Sequence, residues 1–163
     1  MNQTHIHLLV THLPIFGSIL GGLVLSHGLW TKSNHTKIAA YNVLIIAAIG
    51  AAIAYFTGEA AEETIENIAG IAETMIEEHE ETAELAFISL MVLGGTSLIG
   101  LFLSLKKSAL ANKVAMVVLL ISLVSFGLVA RTGYLGGQIR HTEVSPDSPN
   151  NALQQGEGEQ NDD

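Results

Sequence analysis

Four stretches of the chain, residues 1–31, 38–58, 85–105 and 114–130, contain no aspartate, glutamate, lysine or arginine. Each is close to the ~20 apolar residues needed to cross ~30 Å of hydrocarbon. A segment in lipid must satisfy its backbone polar groups internally, which leaves the helix as the element for runs of this kind. The rest of the composition agrees: 48% of the 163 residues are hydrophobic, 14% are charged, and the mean hydropathy is +0.41. A soluble globule and a disordered chain are both excluded. The expected fold is all-α, an integral-membrane four-helix bundle with an extra outer amphipathic helix. Residues 1–141 form the transmembrane domain, with spans at about 6–30, 38–58, 84–105 and 113–139 and the outer acidic helix at 60–82. Residues 142–163, rich in Ser, Pro, Asn, Gln, Gly and acid, have nothing to bury and are expected to be a disordered tail. The first segment has no basic n-region and opens on three histidines, so it reads as a retained helix and not a cleaved signal.

Charge then orients the bundle. Loop 31–37 carries Lys32 and Lys37, loop 106–113 carries Lys106, Lys107 and Lys113, and neither holds an acid. The connection 59–84 holds ten glutamates and no Lys or Arg, and the remaining six acids follow Arg140. By the positive-inside rule the lysine loops are cytoplasmic and both termini lie on the outer, periplasmic side of a bacterial inner membrane. A net charge of -9 excludes a nucleic-acid partner. The absence of cysteine excludes disulfides, thiolate metal sites, iron–sulfur clusters and covalent haem attachment.

Gly17, Gly21 and Gly28 fall on one helical stripe about 40° wide at 100° per residue, the pattern of close helix packing. Seven histidines are costly in a chain of this kind and mark a functional site. His5, His12 and His27 share a different face of the first helix, while His7 points elsewhere. In the outer connection, Ile65, Ile68, Ala72, Met75, Ile76 and His79 form the apolar stripe of an amphipathic helix ringed by glutamate. The stripe runs on through Ala83, Ala86, Phe87 and Leu90, so His79 is expected to face inward on a long helix whose weakest point is Gly70. On the fourth span Gly127, Arg131, Tyr134, Gln138 and His141 form a polar stripe expected to face the bundle interior.

His12, His79 and His141 are thus expected to converge near the outer surface from three helices. Converging imidazoles suit axial ligation of a non-covalent haem b, whose iron takes one histidine on each side of the ring. Arg131 and Arg140 have the sign and geometry to grip propionates, and Gly136 and Gly137 would let the macrocycle approach. One haem is expected, a second using His5 or His7 being open; His27 finds no second ligand on the inner side. Set against this are plainer roles: histidines bonded across helices, arginines snorkelling to head groups, glutamates forming a solvated face, and Trp30, Tyr41, Tyr55 and Tyr134 forming an aromatic belt.

The segments His5-Ile6-His7 through Thr11-His12-Leu13-Pro14, Thr57-Gly58-Glu59-Ala60-Ala61-Glu62, His79-Glu80 and Thr132-Gly133-Tyr134-Leu135-Gly136-Gly137 before His141 carry a resemblance. In their order and spacing over most of residues 4–141 the chain resembles a large group of small bacterial four-span membrane proteins, a family of unknown function held to be b-type cytochrome-like. The resemblance implies that His12, His79 and His141 are the defining polar positions. This chain has Thr142 where the family has glycine after the last histidine.

The function expected is that of a membrane b-type cytochrome carrying single electrons between a quinol or a respiratory complex and an outer acceptor, such as a basic soluble cytochrome drawn by the acidic face. It would act as a carrier or as a subunit of a larger complex, and not as a complete enzyme. Two other classes stand beside it. One is a divalent-metal (zinc, copper or iron) binding or transport protein using His5, His7, His12, His79 and His141 with outer glutamates. The other is a structural membrane subunit without a cofactor.

Overall fold

The computed structural model describes residues 3–65 and 73–140, with side chains described for 7–58, 74 and 76–138. The expected tail, His141 and Gly70 lie outside these residues, as do the side chains of His5 and Arg140. Five helices follow one another: α1 (Gln3–Val10), α2 (His12–Trp30), α3 (Asn34–Ile65), α4 (Glu73–Leu105) and α5 (Ala111–Arg140). There is no strand among the described residues. Four segments are long and apolar enough to span a bilayer, His7–Trp30, Asn34–Gly58, Ile76–Leu105 and Ala111–Gln138. The chain is a multi-pass membrane protein, and its large exposed apolar side chains, Phe16, Leu23, Phe56, Phe102 and Leu120 among them, face the lipid.

Local chemistry sets the breaks. Pro14 has no N–H to give the Val10 carbonyl and its ring crowds that oxygen, so the first span divides at Thr11 into α1 and α2. The two lysine loops are the same turn built twice. After α2, Ser33 N–H reaches Gly28 O (3.0 Å) and Lys32 N–H reaches Leu29 O (3.3 Å); after α4, Ser108 N–H reaches Leu103 O (2.9 Å) and Lys107 N–H reaches Ser104 O (3.1 Å). These are paired Schellman bonds. The residue on which each turn pivots is a lysine in the left-handed region, Lys32 at φ 54° and Lys107 at φ 51°. A side chain there costs about 1 kcal/mol or more that glycine does not pay. Lys107→Gly should therefore raise stability by about 1 kcal/mol, read as a shifted midpoint in detergent unfolding. A loss of stability would show that the lysine side chain makes up for the strain.

Each long helix packs against two neighbours, α2 and α4 both lying between α3 and α5. The approach is close because the contacts are small. A Cβ on Gly17 would lie 2.6 Å from Ala47 Cβ, one on Gly21 2.5 Å from Leu44 Cδ2, and one on Gly28 3.0 Å from Lys37 N. The glycine stripe is the α2–α3 seam, as its spacing indicated. Gly22 receives Ser122 of α5, whose hydroxyl donates to Ser18 O at 2.8 Å. Leu25, Leu44, Leu90, Leu93 and Val118 fill the middle, and Tyr41 is buried with its ring on Gly100. Tyr41 is thus a core residue, unlike Trp30, Tyr55 and Tyr134, which are exposed.

The helices do not stop where the charge begins. α3 continues to Ile65 and α4 starts at Glu73, so 60–65 and 73–82 of the expected outer helix are extensions of the spans, with 66–72 outside the described residues. At 1.5 Å per residue the 32 residues of α3 measure about 48 Å, well beyond the hydrocarbon. One end of the bundle therefore bears glutamates and the other bears all five lysines.

Candidate functional site

At the glutamate-bearing end two imidazoles are held in the same way. His7 of α1 donates from Nδ1 to the carbonyl of Ala54 in α3 at 2.8 Å, with Thr57 Oγ1 at 3.5 Å. His79 of α4 donates from Nδ1 to the carbonyl of Thr132 in α5 at 3.1 Å. Four residues after each carbonyl stands a glycine under the ring: a Cβ on Gly58 would lie 3.2 Å from His7 Cε1, and one on Gly136 3.1 Å from His79 Cε1. The two facts belong together. In a helix the carbonyl of residue i accepts from the N–H of i+4, and side chains tilt toward the N-terminus, so the side chain at i+4 leans toward that carbonyl. Glycine at i+4 uncovers its second lone pair and makes room for a ring to reach it.

A carbonyl only accepts, so each Nδ1 carries a proton, and in the neutral imidazole that leaves the lone pair on Nε2. This is the arrangement of ligating histidines, whose outer nitrogen is anchored to a carbonyl while the other binds. The two seats lie on different helix pairs, α1 with α3 and α4 with α5, at the same end of the bundle.

The other expected site residues fall differently. His12 is exposed; its Nδ1 donates to Leu8 O of the preceding turn (3.2 Å) and its ring stacks on Phe16 at 6.3 Å between centroids. The expectation that His12 faces inward is thereby corrected, and the reason lies in the phase of α2. Counting about 100° per residue from His5, the packed residues Gly17, Gly28 and Gly21 lie at about 120–160°, Leu25 at about 200° and Ser18 and Gly22 at about 220–260°. His12 and His27 lie opposite, and His27 is accordingly exposed, edge-on to Trp30. His7, at about 200°, sits in the middle of the packed arc. The glycines and serines that choose the seam were the signal for it.

A similar correction applies to α5. Its buried arc runs through Ser122, Ser125, Val129 and Leu135, whereas Gly127, Arg131 and Tyr134 are exposed; of the described members of the expected polar stripe only Gln138 is buried, donating to the Tyr134 hydroxyl at 2.9 Å. Arg131 pairs with Glu78 of α4 at 2.9 Å, both side chains more than half exposed. In water such a pair contributes less than about 1 kcal/mol. Glu78→Gln should accordingly leave the thermal midpoint nearly unchanged at any ionic strength, and a marked drop at low salt would show that the pair is shielded. Gly137 has open space where a Cβ would be, next to the His79 seat.

No family model matches the chain, nor does any curated protein or solved structure. The site must be read from its own chemistry. Among the described residues there is no group of three or more His, Asp and Glu placed to hold a metal ion.

Proposed function

We propose that the chain is a membrane b-type cytochrome that carries single electrons between a membrane donor, a quinol or a respiratory complex, and an acceptor at its glutamate-bearing side. The observation that carries the reading is the pair of glycine-seated imidazoles, His7 and His79, with Nδ1 anchored and, among the described residues, no partner on Nε2. Two histidines are the donor set of a b-type haem, whereas zinc and related divalent ions take three or four protein ligands. The donor set thus favours haem over the divalent-metal reading.

When bound, haem supplies a one-electron iron couple. His79 and His7 are the assigned ligands, with His141, outside the described residues, as the further candidate. The carbonyls of Ala54 and Thr132 fix the ring orientation and the tautomer of each imidazole. Gly58 and Gly136 keep those carbonyls within reach. Arg131, on the rim and joined to Glu78 by one N–O contact, would exchange that carboxylate for a propionate. The exposed glutamates attract a basic soluble partner, an effect that fades with salt. The lysine turns, by the positive-inside rule, set this end outward from a bacterial inner membrane, and the four-span family of cytochrome-like proteins that the sequence resembles fits the same role.

The test is the absorbance of the detergent-purified protein, oxidised and dithionite-reduced, with pyridine haemochromogen quantification. A sharp reduced α-band with about one haem per chain is expected of a haem that two histidines would hold. A colourless protein from haem-replete cells would overturn the reading in favour of a structural subunit.

A further inference from the structure

At the lysine-bearing end, far from the histidines, the Lys37 side chain is 5% exposed. Its Nζ donates to Asn112 Oδ1 of α5 at 2.8 Å, a neutral partner that takes one of three N–H groups. Among the described residues no carboxylate lies at this end; the sequence has no acid in 1–58 or 85–142. A buried ammonium left with a neutral partner is costly unless an anion joins it. Lys37 is held in this place by the fold, since Gly28 admits its backbone and stem at 3.0 Å.

Lys37 lines a groove of about 490 Å³ between the end of α2 and the start of α5. Its polar mouth is Lys32, Lys37 and Asn112, and its wall is apolar, including Leu29, Met116 and Leu119. Lys32 is the strained pivot of the first turn, held at φ 54°. The wall opens onto the lipid-facing side of α5, where Met116 is largely exposed.

We propose that this groove binds one anionic phospholipid, its phosphate on Lys32 and Lys37 and an acyl chain along Leu29, Met116 and Leu119. Charge complementarity selects the head group, and the apolar wall running into the bilayer selects a lipid over a soluble anion. Basic pockets between membrane helices bind anionic head groups in this way. The ammonium of Lys37 gains its counter-ion, and the lysine strained at position 32 gains a contact that glycine would not make.

Trp30, the sole tryptophan, is 84% exposed beside Leu29 and reports occupancy. The full-length protein in mixed vesicles is titrated with dibrominated phosphatidylglycerol or dibrominated phosphatidylcholine, and quenching of Trp30 gives the preference of one over the other. Wild type should prefer phosphatidylglycerol by about fivefold or more. Lys37→Met should abolish most of this preference. Lys32→Gly, which relieves the turn and so keeps the fold, should lower it about fivefold. Lys107→Gly, the same change in the matching turn outside the groove, should leave it intact. Equal quenching by the two lipids in wild type would overturn the proposal, as would a loss in Lys107→Gly equal to that in Lys32→Gly. Reversal of the preference by millimolar inorganic phosphate would show a soluble-anion site in its place.

Discussion

The Gly17→Leu variant should insert into the membrane and fail to assemble. A Cβ at position 17 would stand 2.6 Å from Ala47 Cβ and 3.3 Å from Ala47 Cα. Both atoms are fixed to the α3 backbone, so no rotamer change relieves the contact and the helices must part. Helix association in lipid rests on packing, since the apolar surface gains nothing from leaving lipid for protein. Separating α2 from α3 forfeits the contacts of Gly21 and Gly28 along the same seam, and the expected cost is about 3 kcal/mol or more. Gly95→Leu is the matched control. It adds the same side chain at a glycine with open space around it and should change stability by less than about 0.5 kcal/mol. Unfolding in mixed micelles with rising sodium dodecyl sulfate, followed by circular dichroism, separates the two. Equal midpoints for Gly17→Leu and wild type would mean that the α2–α3 seam is elsewhere.

His79→Ala should lose nearly all bound haem while keeping its helical content. The ring is held by Thr132 O and rests on Gly136, so its removal deletes a ligand and leaves the bundle's apolar contacts in place. A b-type haem with one histidine withdrawn binds weakly and changes spin state, so the reduced α-band should fall about tenfold or more. His7→Ala should behave alike. His12→Ala should retain the band, because that ring faces outward and bonds its own helix. Gly136→Ala should be intermediate, since a Cβ 3.1 Å from the His79 ring moves that ring by tenths of an ångström. A protein that keeps its α-band in both His79→Ala and His7→Ala has its haem elsewhere. A band lost in His12→Ala but kept in His7→Ala would return the assignment to the sequence-based set.

The fold was legible because lipid leaves little choice. Charge-free runs of about 20 residues must be helices, lysines mark two turns, and glycines four and then seven residues apart mark a seam. Helix ends were less legible, since charge marks where the bilayer stops and not where the helix does. Glutamate is a good helix former, so α3 runs on through Glu59, Glu62 and Glu63. The inward face of α4 was readable, as an amphipathic stripe with glutamates outside has only one way to turn, and His79 follows it. The first span is apolar all round, so hydrophobicity does not choose its face. There the histidines were grouped by their own spacing, which turned His12 inward and His7 away, the reverse of their burial. The small residues Gly17, Ser18, Gly21 and Gly22 carried the phase. Arg131 is exposed and not inward for a related reason: a polar stripe at the end of a span reaches water and need not turn inward.

The two matching turns also bear on how the molecule comes together. The backbone hydrogen bonds that close them join residues at most five positions apart, so the α2–α3 and α4–α5 hairpins each close with little loss of chain entropy, and Asn34 then ties one turn to the other through Ser104 O at 3.0 Å. Two finished hairpins then dock, α3 on α4 and α2 on α5. The surfaces that join the two hairpins within one chain are the same in every copy, so the topology leaves an exchange of hairpins between copies open as a route of misassembly.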